Sequence, residues 1–450
     1  MKKLRLNNNE ITEVLNLSSV KNKRIKIQDI AYNNILQETK SKKVILSAFP
    51  RFGKSYFVLN FIKNLNNKFN SKHLVIAPTT HIVKEFNKLF KEHNITNVVC
   101  STLAGCFTKR FQLNYNNTVW CSIYYDEADY AVSSVNSQKF SKVLNFNSRW
   151  KICLSGTFSH ENIKLLSSKG FDTLFEISVD DGILLGVLPR FNTYNLSIPL
   201  TIQERNQYYQ YHILQEKLLL PYTTMFGDIA EYAISSIENN DKLFTLNGVC
   251  KTGKEWLQDM LILTGWKDVG ILIGRKRQWN ETRSKMNDIL ANSYNKKAVI
   301  QDILKKLNNN KGIIFTSRKE ICDELQNMNP YIKAYHSDSD DSSILEDFKL
   351  NNNIKAIACV DKLTRGFTET GISYAINSTY NSKRNSYIQK ISRALSIDEN
   401  NKEVIIINLY CGEFTVNGKT IITKDYSRLM RAQENDIVEW IESLDDLDNE

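Results

Sequence analysis

A chain of 450 residues, 42% hydrophobic and 24% charged, has room for about three domains at roughly 150 residues each, and buries its cores without disulfides or metals. Its net charge of +10 and pI of about 9.0 suit a polyanionic partner. Residues 432–450 hold eight acidic side chains and no Lys or Arg, so the rest of the chain carries +18. No stretch reaches the ~18 apolar residues of a membrane span, and the charged start at Met1–Asn9 leads into no apolar run, so a span and a secretion leader are not expected. The eight cysteines form no CxxC pair, which suits reduced, buried thiols rather than a disulfide frame or a zinc site. The expected compartment is the cytoplasm, a host's if the chain is viral.

Short apolar runs alternate with helix-like stretches, the pattern of parallel α/β domains. Lys43–Ala48 reads as a buried strand, and Phe57, Val58, Phe61, Ile62 and Leu65 repeat at helical spacing. Between them lies Phe49-Pro-Arg-Phe-Gly-Lys-Ser55, which with Ala48 matches a P-loop whose first Gly is Ala. Gly53 lets backbone wrap phosphates, Lys54 neutralises them, and Ser55 is placed to ligate Mg²⁺. Further strands are expected at His73–Ala77, Trp120–Tyr125 and Ile152–Leu154. Asp126-Glu-Ala-Asp129 follows the third of these four strands, at the end where α/β sheets bind ligands. Asp126 suits a Mg²⁺ ligand acting partly through water, and Glu127 a group that orients or deprotonates an attacking water.

Residues 200–305 carry helical patterns (Gln203–Leu220, Glu255–Leu263, Arg283–Leu290) and few strand signals. A second alternating block has strands at Gly312–Thr316, Ile332–Tyr335, Ile354–Val360, Tyr374–Ile376 and Val404–Leu409. In the tail, Ile437, Trp440, Ile441 and Leu444 share one helical face, which predicts a docked amphipathic helix with an acidic outer side. The division is therefore 1–190, a first α/β domain; 191–305, a helical insertion; and 306–450, a second α/β domain with the acidic helix.

Taken in order, Lys54-Ser55, the DEAD sequence at 126–129 and Ser155-Gly-Thr157 resemble motifs I, II and III of superfamily 2 helicases. Gly312–Ser317, Val360–Phe367 and Gln389-Lys-Ile-Ser-Arg393 resemble motifs IV, V and VI, and Arg24–Gln28 resembles the short element whose Gln reads adenine. The layout is similar to phage branch-migration helicases of the UvsW type, and more distantly to RecG. The resemblance implies two RecA-like domains with ATP and Mg²⁺ between them. It implies nucleotide contacts from Gln28, Arg51, Phe52, Gly53, Lys54, Ser55, Gly366, Gln389 and Arg393, with Arg393 as the arginine finger. Ser155 and Thr157 would couple the ATP site to the strand groove, and Thr79, Thr80, Thr316, Thr364 and Arg365 would hold backbone phosphates. Arg51 stands where the family has a small residue or Gly, with bulky Phe52 beside it, and Ser392 and Ser396 stand where it has a Gly and a second Arg. Only a short segment precedes Gln28, so recognition of branches falls to the insertion, where Arg275-Lys-Arg277 and Trp279 suit backbone contact and base stacking or, equally, a solvated basic face over a core Trp.

The implied activity is an ATP-dependent DNA helicase that unwinds or migrates forks and junctions in replication, recombination and repair. Three other readings stand beside it: a double-strand translocase of the restriction type, an RNA helicase, and a binding protein with a decayed ATP site. Lys54, Asp126, Glu127 and Arg393 argue against decay, and a second motif-bearing block argues against a simple P-loop kinase.

Overall fold

The computed structural model describes residues 6–38, 42–49, 51–66, 72–132, 137–307, 310–339, 341–351, 353–360, 371–380, 384–395, 403–433 and 436–448. Six parallel strands build the first sheet: β1 (Lys43–Ala48), β2 (His73–Ala77), β3 (Val98–Thr102), β4 (Trp120–Asp126), β5 (Ser148–Ser155) and β6 (Asp172–Ile177). Their order is β3-β2-β4-β5-β1-β6. Every residue of β2 and β4 is buried, as expected for a parallel sheet with helices on both faces. The helix Lys54–Asn66 packs Phe57, Val58, Phe61 and Ile62 onto the sheet, and Phe61 meets Tyr124 of β4 and Trp150 of β5 edge-on.

The second sheet has seven strands. In chain order they are β7 (Arg190–Ser197), then β10 (Lys311–Phe315), β11 (Ile332–Tyr335), β12 (Ala356–Cys359), β13 (Ile372–Asn377), β14 (Glu403–Tyr410) and β17 (Glu439–Ile441). The strands β8 (Leu243–Leu246) with β9 (Val249–Thr252), and β15 (Glu413–Val416) with β16 (Lys419–Ile422), form separate hairpins. The large sheet is ordered β11-β12-β10-β13-β14-β7-β17 and is parallel throughout. At its centre the ring of Tyr374 lies across the backbone of Gly312, filling the space that a Cβ at 312 would occupy.

Two placements differ from the sequence reading. Residues 190–197, at the start of the stretch read as helical insertion, form a strand paired along its whole length with β14. The tail is not an amphipathic helix. Glu439–Ile441 adds to the second sheet beside β7, and only Leu444–Asp448 turns, as a 3-10 helix. Ile441, Leu444 and Leu447 still reach the core of that domain, and Trp440 packs against Tyr410 and Tyr426, but Ile437 is 98% exposed. The apolar spacing fitted a helix because neighbours at i and i+4 also suit a short strand followed by a turn, and the open edge of β7 decides between them.

Between β7 and β10 the chain makes the helices Ile202–Phe226, Gly253–Thr264 and Val269–Ala291, closed around Leu218, Tyr222, Trp256, Met260, Leu272 and Trp279. The helix Tyr294–Lys306 leads from them into β10. The largest apolar cluster runs from Leu46, Tyr124 and Ile152 of the first domain to Ile313, Ile357 and Ile406 of the second.

Candidate nucleotide site

The loop after β1 turns through two left-handed residues, Arg51 (φ 72°) and Gly53 (φ 85°). Gly is required at 53 on two counts: its backbone conformation, and Gln28, whose Nε2 lies 2.6 Å from where a Cβ would stand. Gln28 Nε2 donates to the Phe52 carbonyl at 2.8 Å, while Gln28 Oε1 is buried and has no partner among the described residues. That orphaned acceptor suits an amino group on a bound base. Phe52 itself is fully buried, tilted against Phe57 and Phe175, so only its backbone is available to a ligand. Lys54 and Ser55 open the following helix, half-buried at the mouth of the loop.

Across from the loop, β4 ends in Asp126, and Glu127 sits at φ 47°, ψ 54°, the left-handed region that a branched or long side chain rarely occupies. Lys54 Nζ stands 3.7 Å from Glu127 Oε1, with the two side chains 13% and 20% exposed. Burial, and next the Glu127 charge, push the Asp126 carboxyl up to about 7, with Lys54 opposing. A carboxyl so disposed gains when a cation displaces its proton, which is the demand a Mg²⁺ ligand meets.

Ser155 at the end of β5 donates to Asp129 Oδ1 at 2.7 Å and to Glu127 Oε2 at 3.4 Å. Thr157 Oγ1 donates to Asp129 Oδ2 at 3.0 Å, and its N–H to Ser155 Oγ at 3.1 Å. The DEAD and Ser-Gly-Thr segments are therefore one hydrogen-bonded unit with Asp129 as its hub. Burial first, then Glu127, raise the Asp129 carboxyl, and the two hydroxyls oppose this. Sequence reasoning quoted Asp129 without giving it a role; a hydroxyl pair two residues apart after the next strand was the available signal.

The other named residues separate into three groups. Thr79 caps the helix Thr80–Glu92 by accepting from Ile82 N–H, and Thr80 is exposed beside it. Thr316 is buried, its hydroxyl directed to the Arg318 carbonyl at 3.1 Å and close to Cys322 Sγ. Gln389 and Arg393 lie on the helix Arg384–Ala394, with side chains outside the described residues, as are Thr364, Arg365 and Gly366 entirely. Arg51 Nε reaches the Ser392 carbonyl of that helix at 3.4 Å, which brings the phosphate loop and the motif VI segment together.

The basic run in the insertion is largely turned inward. Arg275 donates to the carbonyls of Lys217 and Leu218 and stacks over Trp266, and Lys276 donates to the Ile237 carbonyl at 2.9 Å. Arg277 alone of the three projects, beside Glu281 at 3.3 Å with its side chain 83% exposed. Trp279 is fully buried and is a core residue, not a stacking platform.

With this geometry established, comparison with known proteins is decisive at the level of superfamily. The helicase conserved C-terminal domain matches residues 295–398, and the type III restriction enzyme res subunit matches residues 22–167. The chain carries the two domains of a superfamily 2 helicase. It is accordingly an enzyme, a nucleic-acid-dependent ATPase. No curated protein matches this chain by sequence. Among solved structures, Dbp5 of S. cerevisiae bound to RNA and ADP BeF3 superposes with a TM-score of 0.53 at 12% identity, over 97% of this chain and 96% of that one. A putative HsdR subunit fragment of a type I restriction enzyme from Vibrio vulnificus YJ016 gives 0.53 at 12%, over 85% of this chain and 63% of that one. The type ISP restriction-modification enzyme LlaBIII bound to DNA gives 0.54 at 12%, over 96% of this chain and 29% of that one. At such identity these likenesses establish the fold, two RecA-like parallel-sheet domains. No helix among the described residues is long and apolar enough to cross a membrane.

Proposed function

We propose that the helicase spends ATP to move on DNA and to unwind or branch-migrate forks and junctions, as in phage-type replication, recombination and repair. The observation that carries the ATP half is the arrangement of Lys54, Glu127 and Asp126: a cation 3.7 Å from one carboxylate, beside a second carboxyl held near neutrality by burial. In this reading Lys54 neutralises the β- and γ-phosphates while backbone N–H groups of the loop from Arg51 to Ser55 hold them. Ser55 and Asp126 would hold Mg²⁺, which supplies charge neutralisation at the transferring phosphoryl group. Glu127, freed from Lys54 by the arriving phosphates, orients the attacking water. Gln28 receives the adenine amino group at its unpaired Oε1, and Arg393 of the second domain, with Gln389 on the same helix, is our candidate for the arginine finger. Asp129, Ser155 and Thr157 pass the state of Glu127 to the end of β5. Thr79, Thr80, Thr364 and Arg365 remain our candidates for the nucleic-acid backbone, with Arg277 the accessible cation of the insertion.

A second reading, translocation on duplex DNA without strand separation, is favoured by the match of residues 22–167 to a restriction-enzyme subunit. One experiment separates the two: ATPase rates without nucleic acid and with single-stranded DNA, duplex, fork, four-way junction and RNA, for wild type and Glu127→Gln. Greatest stimulation by forks or junctions, abolished in Glu127→Gln, is expected. Equal stimulation by plain duplex gives the translocase, RNA-only stimulation an RNA helicase, and no ATPase anywhere overturns the motor.

A further inference from the structure

Parallel sheets fill their centres with branched apolar side chains, yet three adjacent strands of the second sheet place an Asn in the same row. Asn377 of β13 is in register with Asn408 of β14, and Asn408 with Asn195 of β7. All three are buried, at 1%, 0% and 0% exposure. A buried amide is costly unless its donors and acceptors are met. Most of them are met by one another: Asn377 Nδ2 donates to Asn408 Oδ1 at 2.8 Å, and Asn408 Nδ2 to Asn195 Oδ1 at 2.9 Å, while Asn377 Oδ1, at the end of the row, has no partner among the described residues. Gln433 closes the row by a reciprocal pair, Asn195 Nδ2 to Gln433 Oε1 at 2.8 Å and Gln433 Nε2 to Asn195 Oδ1 at 3.0 Å.

Among the described residues the row reaches beyond itself at Tyr387. The hydroxyl of Tyr387 accepts from Asn408 Nδ2 at 3.1 Å and from Gln433 Nε2 at 2.8 Å. Tyr387 is buried near the start of the helix Arg384–Ala394, where Ile391 and Ala394 are buried on the same side. A second hook lies one turn on, where Lys390 Nζ donates to the Thr379 carbonyl at 3.2 Å. At about 100° per residue, positions 389 and 393 fall on the other side of the helix from 387.

We infer that the amide row Asn377–Asn408–Asn195–Gln433 is a positioning device: through Tyr387 it fixes the rotation and height of the helix that carries Gln389 and Arg393, and so the approach of the arginine finger to the nucleotide. Apolar side chains would hold the helix to the sheet as firmly but would let it slide and turn. Directional bonds to one phenol oxygen specify a single setting. The row also ties this helix to the root of the insertion, because β7 runs within a few residues into the helix Ile202–Phe226. The inference rests on the proposed role of Arg393.

The test is a double-mutant cycle on steady-state ATPase, using whichever nucleic acid of the panel above stimulates most. Tyr387→Phe is expected to lower kcat about tenfold with the KM for ATP within about twofold, since it misplaces a group that acts in the transition state. In an Arg393→Ala background the same change is expected to cost less than about twofold more, because the two act as one unit. Gln433→Met, which removes one of the two donors to the phenol, is expected to lower kcat about threefold, and it covers the case in which Tyr387→Phe does not fold. Wild-type levels of kcat in folded Tyr387→Phe or Gln433→Met, with Arg393→Ala impaired, overturn the positioning role and leave the motor standing. Fully multiplicative losses in the double variant also overturn it, since they mark a purely structural tyrosine. An inactive wild type, or an Arg393→Ala variant with full activity, removes the reading beneath it.

Discussion

Lys54 at the nucleotide loop and the basic run Arg275–Arg277 in the insertion use their charge in opposite ways. At the nucleotide loop, Lys54 follows a strained turn at the mouth of a strand and faces the carboxylate of Glu127, with no carbonyl partner among the described residues. In the insertion, Arg275 and Lys276 are satisfied by the carbonyls of Lys217, Leu218 and Ile237, and fasten one helix to its neighbours. A cation ready for a ligand is paired with a group that the ligand can displace; a structural one is paired with backbone that cannot leave. Neighbouring charges in the sequence do not distinguish the two.

The largest effect that sharpens this contrast is expected at Lys54. Lys54→Ala should lower nucleic-acid-stimulated ATPase by about a hundredfold or more. Its melting temperature should move by less than about 4 °C, as read by calorimetry. A variant that loses activity only because it has unfolded would place Lys54 with Arg275. Next comes the acid beside it. Because the folded Asp126 carboxyl titrates near 7 and the unfolded one at 3.8, the folded protein binds the extra proton between those values. Stability from this group is therefore present below about pH 4 and lost as pH rises toward 7. Asp126→Asn removes that loss, so above pH 7 without Mg²⁺ the variant should be more stable than the wild type, with the gap closing in acid. Urea titrations from pH 4 to 8 measure it, and parallel curves would show that the carboxyl is not strained in the free protein. The smallest effect is at Arg275. Arg275→Ala should cost about 1 kcal/mol of stability through its lost carbonyl and Trp266 contacts, while leaving the slope of DNA affinity against salt unchanged. A slope reduced by about one, with stability intact, would make it a phosphate contact after all.

What the sequence disclosed was local. A strand, a loop with Gly-Lys-Ser and an apolar helix are consecutive, so Lys54 and Ser55 declare themselves, as do Asp126 and Glu127 at the end of an apolar run. The general order of strands and helices followed from the same periodicities. The parts that escaped depend on partners far away in the chain. Residues 190–197 contain Asn192, Thr193 and Asn195, which weaken a strand signal, and they become a strand by pairing with residues 403–410. Glu439–Ile441 is a strand only because β7 offers an edge. Trp279 is core because the helix Val269–Ala291 turns that face toward Trp256 and Tyr222, a rotation that the mixed charges around it hide. The amide row was invisible for the same reason: each Asn looks like a loop residue until three strands align them.

The ring of Tyr374 over Gly312 has a consequence for how such a chain can change over time. No side chain enters at 312 while the tyrosine stands, whereas Tyr374 can shrink at any moment and leave only a gap. The two positions can therefore exchange bulk in one order only, the large residue yielding first. Intermediates along that route carry a hole beneath the strand that begins motif IV, so a lineage passes through a less stable ancestor or retains the pair.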